Sequence, residues 1–242
     1  MAPSLFVFQF RLLPWEGCLN LNFENMQLTQ GFRAVCTRDQ LGLLTYTESA
    51  SFGEAQRWAM QLASALVDAH AYFSFPDRLP LDLHWVSWLE VKECEPRSTV
   101  SGYADPSLLR VPLDPNHPDN ESLLAAGDLL RRLGGNPSLA LALADFRAAR
   151  RELGPYFAFF AYRVLEDIGY AFGEKGGKPD WLAMNAALGT NQKHWDDLTQ
   201  AGTAARHLSK GSLPTVLLKP RDVLLGLARD ALSRWITFLA RP

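Results

Sequence analysis

The spacing of apolar residues changes partway along the chain, and that change limits the folds open to it. In the first ninety or so residues several segments place apolar side chains at every second position, as where Leu19, Leu21 and Phe23 alternate with Asn20, Asn22 and Glu24. A period of two belongs to strands with one buried face. From residue 121 onward apolar residues recur at helical spacing instead. Between the two regimes lie Pro96, Pro106, Pro112, Pro115 and Pro118, among Ser, Asp and Asn. Proline lacks an amide donor and fixes φ, so a long helix or a central strand is not expected there. The expected fold class is therefore α+β, an N-terminal antiparallel sheet with one helix followed by a C-terminal helical bundle. Its expected regions are a sheet-containing segment at 1–95, a proline-rich linker at 96–120 and the bundle at 121–242.

Within the first region, strands are expected at 4–10, 17–28, 31–37 and 41–48, forming an antiparallel meander, with a polar turn at Arg38-Asp39-Gln40 before the last. A helix follows. Ser51 and Glu54 have capping-box spacing, and Trp58, Leu62, Leu66 and Ala69 carry the apolar stripe. Residues 81–91 return to alternation. Leu83, Trp85, Ser87 and Leu89 fall on one face and His84, Val86, Trp88 and Glu90 on the other, so both faces carry large apolar groups and both are expected to be covered. A short strand at 107–111 is expected to interrupt the linker.

The second region reads as five or six helices. They are expected at 121–133, from Asn136-Pro137 to about 153, from Pro155 to 172, at 179–188, at 191–207 and at 221–240. Asn136 supplies an N-cap, with proline at the first helical position. The helix ending at Phe172 is apolar around most of its circumference and should be central. Arg163, Glu166 and Asp167 form its polar island, spaced to pair with one another. In the last helix Leu224, Leu227, Ala231, Trp235 and Phe238 mark the buried stripe.

Composition excludes several classes. Net charge is -2, so the chain as a whole makes no electrostatic case for nucleic acid or an anionic membrane, although a local patch is not averaged away by that figure. Cys18, Cys36 and Cys94 are odd in number and widely spaced, which fits reduced, buried thiols rather than a disulfide framework or a zinc knuckle. Gln9 and Arg11 interrupt the apolar N-terminus, so no signal peptide is expected, and no apolar run is long enough to span a bilayer. The expected location is cytoplasmic, with no membrane partner.

Catalytic motifs are sparse. His70, His84, His117, His194 and His207 have no metal-ligand spacing, and no metal or cofactor is expected. The sequence has no GxSxG, no GxGxxG and no GxxxxGK[ST]; the Gly-rich loop Glu174–Pro179 reads as a connection between helices. Asp145, Glu152 and the Asp196-Asp197 pair are expected to face water. Most of Trp58, Trp85, Trp88, Trp181, Trp195 and Trp235 coincide with expected buried stripes, which favours core positions over base stacking.

One constellation has a recognisable form. The segment NQKHWDDLTQAGTAARHLSKGS puts Arg206 and His207 at the end of a helix. An apolar helix bearing YRVLEDIGYAF precedes it, and a loop and a long amphipathic helix follow. This order resembles the HEPN superfamily of helical bundles, over roughly residues 121–242. The resemblance implies a protein acting on or binding RNA, a ribonuclease of a bacterial defence or toxin system, with two chains meeting as a homodimer around a composite site. It implies Arg206 and His207 as the catalytic residues. Arginine would stabilise a charged phosphoryl transition state, and histidine would move the proton of the ribose 2′-hydroxyl. The family pattern separates its arginine and histidine by several residues, whereas these two are adjacent. Neighbours on a regular helix point about 100° apart, so they are expected to act together only if the helix ends between them, near Gly211 and Pro214. The alternative reading is a non-catalytic subunit or adaptor bound to a partner protein.

Overall fold

The computed structural model describes residues 4–13, 18–22, 33–37, 40–47, 51–94, 97–102, 120–133, 135–174, 177–207 and 219–241; for β2, β3, β6 and parts of the other strands the backbone alone is described. The expected strand at 107–111, His117, Gly211 and Pro214 lie outside these residues, as do the side chains of Cys18, Cys36 and Cys94. The chain forms two compact units, Met1–Gly135 and Asn136–Pro242, and the α+β expectation holds.

Among the described residues the first unit contains an antiparallel sheet of six strands in the order β2-β3-β4-β1-β5-β6. They are β1 (Ser4–Leu13), β2 (Cys18–Asn22), β3 (Arg33–Thr37), β4 (Gln40–Thr47), β5 (Asp82–Cys94) and β6 (Arg97–Gly102). The expected meander is present in β2, β3 and β4, but β1 does not sit beside β2. It pairs with β4 on one side and β5 on the other. Phe6, Val7, Phe8, Gln9 and Phe10 are all buried, so β1 is covered on both faces, while β4 and β5 satisfy its two edges.

β5 departs from strict alternation. Phe8 pairs with Trp88 and Phe10 with Trp85, and the register shifts between them. Paired residues share a face, so this bulge puts Trp85 and Trp88 on the same side, not on opposite sides as alternation predicts. The ring contacts agree: Trp85 lies 5.3 Å from Phe10, and Phe52 packs 4.4 Å from Trp88 and 6.0 Å from Phe8. The expectation that β5 is covered on both faces fails here, since His84, Trp85 and Val86 are exposed. The expected linker also begins too early, because residues 97–102 form β6 in an antiparallel hairpin with β5.

α1 (Phe52–Phe73) packs on β1, β4 and β5. Its N-terminus is the expected capping box: Ser51 Oγ accepts from the Glu54 amide, and the Glu54 carboxylate accepts from the Ser51 amide at 3.1 Å. α2 (Asn120–Leu133) packs against α1 and belongs to the first unit, not to the bundle expected from residue 121. Its buried stripe of Leu123, Ala126, Leu129 and Leu130 accounts for this, because α1 offers it an apolar surface.

Among the described residues the regular structure of the second unit is all helical: α3 (Pro137–Arg151), α4 (Phe157–Phe172), α5 (Trp181–Leu188), a 3₁₀ turn (Gln192–Trp195), α6 (Asp196–Arg206) and α7 (Arg221–Leu239). Asn136 caps α3, its Oδ1 accepting from the Leu139 amide at 2.9 Å, with Pro137 at the first position. α4 packs against α3, α5, α6 and α7, the central place its apolar circumference predicts. Arg221, at the start of α7, donates to the carbonyls of Ala149, Arg150 and Glu152 and so closes the C-terminal end of α3. Of the described residues, no helix is long and apolar enough to cross a membrane.

Candidate functional site

Arg206 is the last residue of α6, and His207 is its C-cap with φ -98° and ψ 2°. The helix therefore ends between the two. Arg206 does not stand alone. Its Nη2 donates to both carboxylate oxygens of Glu166 on α4, at 3.0 and 2.8 Å. The same guanidinium lies over the rings of Phe159 and Tyr162, 5.6 and 5.5 Å from their centroids. Phe159, Tyr162 and Glu166 are spaced along one face of α4, so a single helical stripe holds the arginine from three directions.

Close packing brings α6 near enough for this. A Cβ placed on Gly202 would collide with the Cβ and ring of Tyr162, so glycine is what lets the helices approach. Burial, and then the negative charge of Glu166, push the Tyr162 phenol above its ordinary value. His207 is exposed; its amide donates to the Ala204 carbonyl at 3.1 Å, and its imidazole forms no hydrogen bond or ion pair with another described residue. Arg206 sits at a helix C-terminus, where the backbone carbonyls favour positive charge.

The polar island of α4 is split. Arg163 donates from Nε to Asp145 on α3 at 2.9 Å and lies 3.7 Å from Asp167, while Glu166 reaches away to Arg206. Asp145 was expected to face water; it is instead half-buried against Arg163. Asp167 is 4 % exposed. Burial, reinforced by its hydrogen bond with Asp145, pushes its carboxyl up to about 7 despite the opposing charge of Arg163.

Two further groups were not singled out from sequence. His194 Nε2 lies 2.9 Å from Asp230 Oδ2, which also accepts from Arg234 Nε at 2.8 Å. Burial works to raise the Asp230 carboxyl, but these hydrogen bonds outweigh it and hold it below the ordinary range. The other group is a small pocket lined by Tyr162, Trp181, Asn185, Gln192, Trp195 and Thr199. No sequence signal marks it, since its walls come from four separate elements. Among the described residues no group of three or more His, Cys, Asp or Glu side chains is gathered to hold a metal ion. Compared with family models, with curated proteins and with solved structures, the chain matches none.

Proposed function

We infer that the helical unit is an HEPN-like module that acts on RNA through the surface around Arg206 and His207, as a ribonuclease of the kind used in bacterial defence or toxin systems. The observation behind this reading is the exposed helix end itself: an arginine held by Glu166 and two aromatic rings, followed at once by an exposed histidine. In cleavage, neutral His207 would take the 2′-hydroxyl proton as the oxygen attacks phosphorus. Arg206 would offset the charge gathering on the phosphoryl oxygens. The 5′-oxygen would leave with a proton from a second acid, which a homodimer supplies as the other copy of His207. Cleavage of RNA that disappears in His207→Ala and in Arg206→Ala is the expected result; cleavage unchanged in either variant contradicts the assignment of that residue.

One observation favours the second reading, a non-catalytic subunit that binds a partner protein in the cytoplasm. Glu166 already neutralises Arg206, and a carboxylate beside a phosphate-binding guanidinium weakens its hold on an anion. Under that reading the wild-type protein cleaves no RNA and the Arg206 variants lose a protein partner instead.

A further inference from the structure

The pocket between α4, α5, the 3₁₀ turn and α6 has both faces and edges for a ligand. Tyr162 and Trp181 stand near-parallel, 26° apart with centroids 6.5 Å from each other, and Trp195 adds a third aromatic wall. Its volume is about 70 Å³. One water needs roughly 10–15 Å³ and a cavity that encloses benzene roughly 150 Å³, so this partly open pocket holds several heavy atoms, the edge of a single flat ring and not a large fused one.

Its hydrogen-bonding character is fixed by Asn185. Trp195 Nε1 and Thr190 Oγ1 each donate to Asn185 Oδ1 at 2.9 Å. An indole N–H can only donate, so the oxygen of the amide must face it. That leaves the Asn185 NH2 with no acceptor among the described residues, a donor whose orientation is settled and which belongs to a residue lining the pocket. Thr199 and Gln192 add groups that either donate or accept. The pocket is also joined to the Arg206 site, since the Tyr162 ring that lines it lies under the Arg206 guanidinium.

We propose that this pocket takes an unstacked pyrimidine base of single-stranded RNA, seated against the Tyr162, Trp181 and Trp195 rings, with a base carbonyl accepting from Asn185 Nδ2. This rests on the reading of Arg206 and His207 as an RNA site and adds base selection to it. Stacking on aromatic rings tolerates any base, whereas an oriented donor selects one that presents a carbonyl.

The test titrates the full-length protein with uridine, then with oligouridylate and oligoadenylate of equal length, following the indole N–H signals of Trp181 and Trp195 by NMR. Asn185→Asp is the informative variant. It keeps the oxygen that receives Trp195 and Thr190 but removes the NH2 donor. Because uridine is uncharged, its loss of affinity is not a phosphate repulsion effect, and Thr199→Val provides a second, uncharged change in the same pocket. The expected result is saturable movement of both indole signals. The variant should weaken uridine binding about tenfold and lose the preference for oligouridylate. Uridine that moves neither indole, or binds wild type and both variants alike, overturns the proposal. Oligonucleotide binding without base preference also overturns it while leaving the RNA reading intact. Uridine seated in the pocket with neither oligonucleotide bound supports the base pocket and contradicts the RNA reading.

Discussion

Asp167 shows most clearly how one residue is set by its surroundings. It is nearly fully buried beside Asp145, and its carboxyl titrates near 7 where an ordinary aspartate has 3.8. A carboxyl raised in the folded state contributes stability that is complete below pH 3.8 and is lost as pH rises toward 7. Asp167→Asn should therefore flatten the fall in stability across that window and raise stability at pH 8, by on the order of a few kcal/mol; denaturant melts at several pH values measure it, and an unchanged pH profile contradicts the assignment. Gly202 belongs to the same scale. Gly202→Ala forces Tyr162 and α6 apart and should cost about 1–3 kcal/mol, read as a shifted denaturant midpoint. A midpoint equal to wild type would mean the helices have slack that the packing denies. The Glu166–Arg206 pair could not be read from the sequence at this scale, because its partners are forty positions apart and only the α4–α6 packing joins them. Arg163 and Asp167, one turn apart, were legible from spacing alone.

At the level of elements, local chemistry was the readable part. Ser51 with Glu54, and Asn136 with Pro137, mark helix starts that the structure reproduces, because a cap is satisfied by residues within one turn. Ser51→Ala should destabilise the first unit by about 1 kcal/mol; hydrogen exchange at the first turn of α1 is the direct check, and unchanged protection there contradicts a capping role. What sequence did not disclose was set by distant partners. The bulge that turns Trp85 and Trp88 to one side arises in the pairing of β5 with β1, so alternation within β5 alone assigns their faces wrongly. The central place of β1 depends on two strands far along the chain. α2 has the same amphipathic pattern as the bundle helices, and only its contact with α1 shows which core it joins.

At the scale of the whole molecule, the chain divides into two compact units. The second unit has its own core, with Phe146, Leu165, Ile168, Leu198, Leu224 and Leu232 all buried, and it contains Arg206, His207 and the aromatic pocket. A fragment spanning residues 136–242 should keep the helical circular dichroism of its share of the chain and melt cooperatively; a fragment that is unfolded in buffer would show that its core is insufficient by itself. The change of apolar period announced the sheet and the helices but placed their boundary at the linker, because periodicity reports an element and not its packing partner. The RNA reading turns on one assay. Purified wild-type protein and an Arg206→Ala/His207→Ala double variant, matched by circular dichroism, are incubated with total RNA. Losing Arg206 leaves the Glu166 carboxylate without its partner and should cost about 1 kcal/mol, so the variant should remain folded. Cleavage by the wild type and none by the variant is the expected result; equal cleavage by both, or none by either, contradicts the account of Arg206 and His207 as a ribonuclease site.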